Sequence, residues 1–412
     1  MAASVYLGDD PKAVFVTQLA RELHRAGVAS DQLERTILSA AGVLGLQVEI
    51  LSHPTDVMIA IGPRYAQQIV MLRLDPGRVN LRKLAFLNEL FDGLQAGTIA
   101  LTQAVEQLRE IDALCPPPPG LITVLGLSGV AVGVAVLLGG GVNEIVVAAF
   151  IGAATGVLSF LAGRSGIVNH LFEVIAAFVA TIAVAAYSHW ISPVNLYVSI
   201  VAGVVVLLPG YSLTLALNEL ANQDLIAGTA RLGRVLAILL SLGCGAFLGL
   251  AVAGTAFTQT AEVRPHPIPA GYWAAAVVLL SAGLSVDLDA RLRDFAWVFL
   301  SCVVALGTTY ALRNAAAHQV APFIAALVCG LVANGGARFL RVPQPVLLVP
   351  AIHVLVPGAL SYQSVLWIVS AHNYEDAATL AANAVIAAIL IVAGLLLSQL
   401  IVPGAPLRVG YR

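Results

Sequence analysis

A proline-glycine pair occurs twice in closely similar surroundings, as Val205-Val206-Leu207-Leu208-Pro209-Gly210 and as His353-Val354-Leu355-Val356-Pro357-Gly358. Each pair is followed by hydroxyl and amide side chains: Tyr211, Ser212, Thr214, Asn218 and Glu219 after the first, and Ser361, Tyr362, Gln363 and Ser364 after the second. A break of this kind in an apolar helix frees backbone carbonyls on one side and exposes N–H groups on the other, so it can hold a cation and a carboxylate. After the first break the polar residues cover one half of a helical wheel, with Leu213, Ala216, Leu217, Leu220 and Ala221 covering most of the other, and Ser212 is placed to cap the new helix. The same pattern also fits an ordinary helix end followed by a helix lying along a membrane interface. The candidate small-molecule site is therefore Pro209, Gly210, Ser212, Thr214, Asn218, Glu219, Pro357, Gly358, Ser361 and Gln363.

Three ionisable groups lie inside apolar stretches and are candidates for proton coupling: His170, Glu173 and His353. Glu173 falls one helical turn beyond His170, on the same side of a helix. A carboxylate in a span costs roughly 2–3 kcal/mol or more to bury, so it faces a cavity or partner, or snorkels to water from the helix end. For His353, and for Asn383 further on, an interhelical hydrogen bond is the competing role.

The motifs of other chemistries are missing. The chain has no phosphate-binding loop, zinc-protease helix, nucleophile elbow or dinucleotide fingerprint. Cys115, Cys244, Cys302 and Cys329 are scattered singletons without metal-ligand spacing. The expectation is a protein that is not an enzyme and uses no metal or cofactor. A net charge of −2 and the absence of a basic run give no reason to invoke nucleic acid.

The elements that must position these residues follow from hydropathy. The chain is 59% hydrophobic and 11% charged with a mean hydropathy of +0.90, against about a quarter charged in globular domains. From Leu121 to Val402 apolar runs of about 16 to 23 residues recur, the length a bilayer core asks of a helix. Ten spans are expected, near 121–139, 145–162, 168–188, 194–209, 234–257, 271–286, 294–311, 318–335, 343–358 and 380–402. Residues 1–115 hold 10 of the 21 Lys and Arg and 13 of the 23 Asp and Glu, and read as a small soluble α+β domain. In that domain, helices over Val14–Ala26 and from Ser30 onward precede strands at Leu46–Leu51, Val57–Ile61 and Gln68–Leu74. Helical spacing returns at Leu81–Leu94 and Ile99–Leu114. Pro116–Pro119 then form a stiff spacer, so the expected division is 1–115, 116–120, 121–260 and 261–412.

No basic region followed by an apolar stretch is evident at the start, so the front domain is expected to stay in the cytoplasm. With it inside, Arg164, Arg231, Arg234, Arg291, Arg293, Arg338, Arg341, Arg408 and Arg412 fall on the cytoplasmic side, and only Arg264 and Arg313 outside. Both termini are then cytoplasmic in a multi-pass protein of the cell (inner) membrane, with the lipid bilayer as a partner. Sliding the chain by 148 residues superposes Pro209-Gly210 on Pro357-Gly358 and His170 on His318. Units of five spans, an odd number, make the second enter from the opposite side, which is the inverted repeat of secondary transporters. By that topology the first break faces the cytoplasm and the second the exterior.

The order of features resembles one family. Leu23-x-x-x-Gly27 with Leu33-Glu34 precedes the helices; Leu207-Leu208-Pro209-Gly210 leads to Leu213-Thr214, Ala216 and Glu219-Leu220-Ala221; Asp224-Leu225-x-x-Gly228-x-x-Arg231-Leu232 follows; and Val349 to Gly358 reads VPAIHVLVPG. This is similar to the bacterial threonine/serine exporter family, ThrE, over essentially the whole chain. The resemblance implies export of small hydroxy amino acids driven by the proton motive force, by ten helices behind a soluble domain. Exporters of small dicarboxylates such as succinate, a ligand-sensing receptor and a membrane-embedded hydrolase are the alternatives. The residues leave open whether the chain forms a homo-oligomer.

Overall fold

The computed structural model describes residues 10–74, 77–256, 268–312, 318–340, 342–355, 358–370 and 374–403, with the side chains of residues 256, 270 and 318 outside that description. The front part begins with α1 (Pro11–Arg25), whose N-cap Asp10 accepts a bond from the Lys12 amide and whose first position is a proline that needs no hydrogen bond. Helix α2 (Ser30–Leu44) ends on Gly45 in the left-handed region, φ 68°. Strands β1 (Val48–His53), β2 (Asp56–Ile61) and β3 (Gln68–Arg73) make an antiparallel sheet in the order β1-β2-β3, with Ile50 opposite Ile59 and Ile59 opposite Val70. The alternation of β2 turns Val57, Ile59 and Ile61 onto the helices. Helices α3 (Leu81–Gln95), α4 (Leu101–Arg109) and α5 (Ile111–Leu114) complete this part. The expected elements are present; α1 starts three residues earlier than Val14 because Asp10-Pro11 is the stronger start signal.

Behind it come α6 (Gly120–Leu137), α7 (Val142–Ala162), α8 (Gly166–His170), α9 (Phe172–Trp190), α10 (Leu196–Val204), α11 (Gly210–Ala221) and α12 (Leu225–Ala256). Then follow α13 (Trp273–Asp287), α14 (Phe295–Leu312), α15 (Ala321–Gly335), α16 (Gln344–Leu355), α17 (Gly358–Val369) and α18 (Tyr374–Ile401). Among the described residues eight helices are long and apolar enough to cross a membrane, counting α16 with α17 as one. A ninth arises if the bent pair Leu196–Leu207 and Gly210–Ala221 is one span, and Trp273–Asp287 is a shorter apolar helix. Large apolar side chains such as Phe150, Leu240, Phe247 and Ile389 are exposed on the outside of these helices, the surface that hydrocarbon would cover. The protein is thus mainly helical and built for a membrane, with one small sheet.

Small residues let the membrane helices approach closely. Helices α6 and α13 lie so near that a Cβ on Gly283 would stand 2.4 Å from the Gly126 carbonyl oxygen, and one on Gly133 2.8 Å from that of Ala276. The front part does not float free of these helices. One continuous buried cluster joins Phe15, Leu23, Leu81 and Leu87 to Leu284, Leu288, Val298 and Val349. Its polar fasteners are backbone bonds from Leu81 N to Leu288 O (2.8 Å) and Arg82 N to Asp289 O (3.0 Å), and one from Asn80 Nδ2 to Asp289 Oδ2 (2.6 Å). Burial pushes the Asp289 carboxyl up, with Arg82 and the Asn80 bond opposing.

Candidate functional site: two breaks that meet

Residues 196–221 form the first broken segment. Helix α10 gives way to a 3-10 turn at Val205–Leu207, Leu208 is extended, and Pro209 precedes α11, with a bend of 59° between the halves. Proline has no N–H to continue the ladder and forces its predecessor out of the helical region, which accounts for the break and for the backbone of Leu208. Ser212 does not cap α11; that helix has no side-chain cap, because Pro209 is its N-cap residue. The second broken segment runs through α16 and α17, and Pro357 lies outside the described residues.

The expectation of one break near each membrane surface gives way to a different arrangement. A Cβ on Gly358 would lie 3.2 Å from Leu208 Cβ and 3.5 Å from Gly210 Cα, so the two breaks touch. The reason is that each break sits in the middle of its segment: α11 carries the chain on to the front part, and α16 begins there. Helix α11 ends beside α2, with the Ser30 amide 3.4 Å from Glu219 Oε1, while α16 packs against α3. The end of α11 and the start of α16 therefore both lie on the side of the front part.

Two cavities flank the crossing. The inner one, of about 190 Å³, is lined by Gly210, Tyr211, Gly358, His353 and Asp287, with apolar side chains of α6, α13 and α14. The outer one, of about 360 Å³, lies between α2 and the membrane helices, and its polar wall includes Asp31, Gln32, Arg35, Thr214, Asn218, Asn334 and Gln344. Tyr211 lines both. Its ring stacks on that of His353 with centroids 4.9 Å apart and planes 14° from parallel. His353 Nδ1 stands 2.9 Å from the Val349 carbonyl oxygen, which can only accept, so Nδ1 carries a proton. Thr214 is 2% exposed and its Oγ1 has no hydrogen-bond partner, an uncommon state for a buried hydroxyl and one that a solute in the outer cavity can relieve.

Glu219 lines neither cavity. It is fully buried and takes both fork nitrogens of Arg231, Nε to Oε2 at 2.9 Å and Nη2 to Oε1 at 2.8 Å. Ser30 is the first residue of α2, and Ala29 is the N-cap without a side-chain bond. Ser361 and Gln363 lie on α17 outside both cavities, Ser361 buried with its carbonyl accepting from Ser364 Oγ at 2.7 Å. His170 and Glu173 do not share one helix, since α8 ends at His170 and α9 starts at Phe172. His170 is exposed with Nδ1 2.6 Å from the Gly166 carbonyl, and neither residue lines these cavities. Asn383 is exposed on α18. The loop and tail arginines Arg264, Arg313, Arg341, Arg408 and Arg412 lie outside the described residues.

The crossing thus brings together Gly210, Gly358 and His353 from the expected set, adds Tyr211 and Asp287, and sets Thr214 and Asn218 on the other side of the aromatic stack. Asp287 escaped sequence reading because a charge at the end of an apolar run resembles an ordinary span end. Arg231 was legible as a loop arginine and as part of the family's motif, but not as a residue of α12 that pairs with Glu219.

Residues 14–253 match the family described as "Putative threonine/serine exporter", ThrE, and residues 272–401 match that described as "Threonine/Serine exporter, ThrE". The chain is 27% identical over 339 residues to the "Probable threonine/serine exporter" of Mycobacterium tuberculosis, covering 80% of this chain and 63% of that one. It is 26% identical over 352 residues to the "Threonine/serine exporter" of Corynebacterium glutamicum, covering 80% and 69%. It is 24% identical over 365 residues to "Pheromone-regulated membrane protein 10" of Debaryomyces hansenii, where it covers 85% of itself and only 36% of that longer protein. No solved structure matches the chain. By the matches that run from the front part through the first break and across the second set of helices, the chain belongs to the threonine/serine exporter family, ThrE.

Proposed function

We propose that this chain is a secondary active exporter that moves threonine and serine out of the cell against the inward flow of protons. The observation that carries the reading is the contact of the two broken segments at Gly210 and Gly358, with a cavity on each side of the Tyr211–His353 stack. Segments crossing in opposite senses are the layout in which secondary transporters hold a solute between rocking halves. The outer cavity serves as the entry from the cytoplasm, the inner cavity as the central site, and the ring pair as the partition between them. A stacked pair contributes about 0.5–1.5 kcal/mol beyond its burial, small enough for the partition to open and close during turnover.

The lining favours a zwitterion over a dicarboxylate. The inner cavity presents one carboxylate, Asp287, which Arg78 pairs from the rim, and one imidazole, so it offers a place for an ammonium group and no spare lysine or arginine for the second carboxylate of a dianion. The start of α11 offers its N-terminal dipole to the substrate carboxylate, and Thr214 and Asn218 guide its hydroxyl on the way in. His353 is the proton carrier of this scheme, being the titratable imidazole of the inner cavity. Both termini are cytoplasmic in this reading: Arg231, Arg291 and Arg293 lie against the front part, Glu89 accepting from the latter two, and Phe160, near Arg164, packs beside Gly120.

Counterflow in proteoliposomes tests the function. Vesicles loaded with unlabelled threonine should accumulate labelled threonine and serine but not labelled succinate, and an imposed proton gradient should drive net threonine movement that His353→Gln abolishes. Exchange of succinate in place of threonine, or no exchange at all, would overturn the reading.

A further inference from the structure

Asp287 is the one acidic residue lining the inner cavity, and it closes a helix, α13, that has no other charged residue. Its side chain is 9% exposed, yet its partner comes from the soluble front part: Arg78 Nη2 donates to Asp287 Oδ1 at 3.0 Å, and the Arg78 side chain is 68% exposed. A cation is thus brought from outside to the rim of the central site and neutralises the carboxylate there.

The pair is not needed to attach the front part. One and two residues on, Leu288 and Asp289 already accept backbone bonds from Leu81 and Arg82, Asp289 takes the Asn80 amide, and a continuous apolar cluster runs across the same contact. An ion pair with one partner this exposed adds little net free energy to such a junction. What it does change is the charge of the inner cavity, which is anionic when Arg78 is away and close to neutral when Arg78 is bound. The same weakness means that another cation can take its place.

We infer that Asp287 is the subsite for the substrate's α-ammonium group and that Arg78 is a tethered competitor for it, held by the front domain and displaced when an amino acid enters. This rests on the reading of the chain as an amino-acid exporter and deepens it, since it gives the front domain a task at the transport site. In the resting protein Arg78 keeps the buried carboxylate paired. A zwitterion brings its own ammonium, takes over Asp287 Oδ1, and returns the guanidinium to water, where its exposure costs little. A solute without an amine lacks the group that displaces Arg78.

The test uses the full-length protein in detergent and in proteoliposomes, with labelled threonine and its des-amino analogue, 3-hydroxybutyrate, as probes. Loss of a charge-assisted bond predicts that Asp287→Asn weakens threonine binding about tenfold or more, while Arg78→Gln tightens it several-fold by removing the competitor. In the Asp287→Asn background Arg78→Gln should have no further effect. Wild-type protein should prefer threonine to the des-amino analogue, and Asp287→Asn should erase that preference, a change that a purely structural role would not produce. Wild-type affinity in both Asp287→Asn and Arg78→Gln, in a protein that does exchange threonine, overturns the inference alone. Failure of the wild type to bind or exchange any amino acid overturns the exporter reading instead. Arg78 is exposed, so its variant decides the matter even where Asp287→Asn does not fold.

Discussion

Tyr211 follows the glycine of the first break and His353 precedes that of the second by five residues, and their rings lie face to face, 4.9 Å apart, where the two segments cross. Residues 142 positions apart in the chain are joined in one stack, in which Tyr211 lines both cavities and His353 the inner one, and which the proposed function makes the partition between them. Replacing either ring by alanine removes that partition. Tyr211→Ala should lower gradient-driven threonine flux by roughly tenfold or more, because a stack contributing about 0.5–1.5 kcal/mol is lost together with its buried area, while downhill equilibration of threonine persists. Tyr211→Phe, which keeps the ring, should retain most of the flux. Equal coupled flux in Tyr211→Ala and wild type would remove the ring pair from the transport path.

The Glu219–Arg231 fork joins α11 to α12 and meets the first amide of α2. Glu219 is fully buried and the Arg231 side chain is 16% exposed, so removing the carboxylate strands a largely buried charge. Glu219→Gln is expected to destabilise the protein by about 3–5 kcal/mol. Replacing both partners, Glu219→Gln with Arg231→Met, should recover much of that loss, because the cost lies in the orphaned charge more than in the missing bond. The midpoint of thermal unfolding in detergent reports both changes. A single variant as stable as the wild type would contradict this assignment.

At the crossing itself, little room is left for a side chain on Gly358. A Cβ there would stand 3.2 Å from Leu208 Cβ and 3.5 Å from the Gly210 backbone, a contact that neighbours can absorb for alanine but not for a branched residue. Gly358→Val should part the two segments at a cost of about 1–3 kcal/mol and bring counterflow close to background with normal membrane insertion. Gly358→Ala should keep a measurable fraction. The comparison of exchange rates at matched expression decides it, and wild-type exchange by the valine variant would mean that the close approach is dispensable.

Away from the membrane helices, His24 gives the front domain a predictable response to acid. His24 Nε2 donates to the His53 carbonyl at 3.1 Å, and its Nδ1 is buried without a partner. Burial holds the imidazole below the ordinary 6.5, opposed by the bond to His53. A depressed folded value means that the unfolded chain takes up the proton first. This contribution to stability is therefore complete above about pH 6.5 and is lost as pH falls from there through the folded value. Hydrogen exchange of α1 and β1 in the intact protein should accelerate over that window, and His24→Gln should flatten the response. An unchanged pH profile in the variant would assign the acid sensitivity elsewhere.

What could be read without coordinates follows from local rules. The length and apolarity of the runs between Leu121 and Val402 demand membrane helices, and the β-branched run Val57–Ile61 marks a strand. Pro209-Gly210 breaks a helix wherever it is placed, because the missing N–H and the ring clash belong to the residue itself. The motif around Leu207–Leu232 was specific enough to name the family, because a broken helix and its polar flank leave a dense local signature.

The tertiary structure decided where those local features meet. Helical spacing placed Glu219 on a polar face with Thr214 and Asn218, but whether a carboxylate faces a solute or a guanidinium depends on α12 folding back to bring Arg231 within 3 Å. His170 and Glu173 fit one helical face by spacing, and a turn at Leu171 separates them. Asp287 became part of a site only through the approach of α13 to the crossing and the reach of Arg78 across 209 positions. Periodicity reports which side of an element is apolar; the identity of the group across from it is set by contacts between distant segments, which no local pattern encodes.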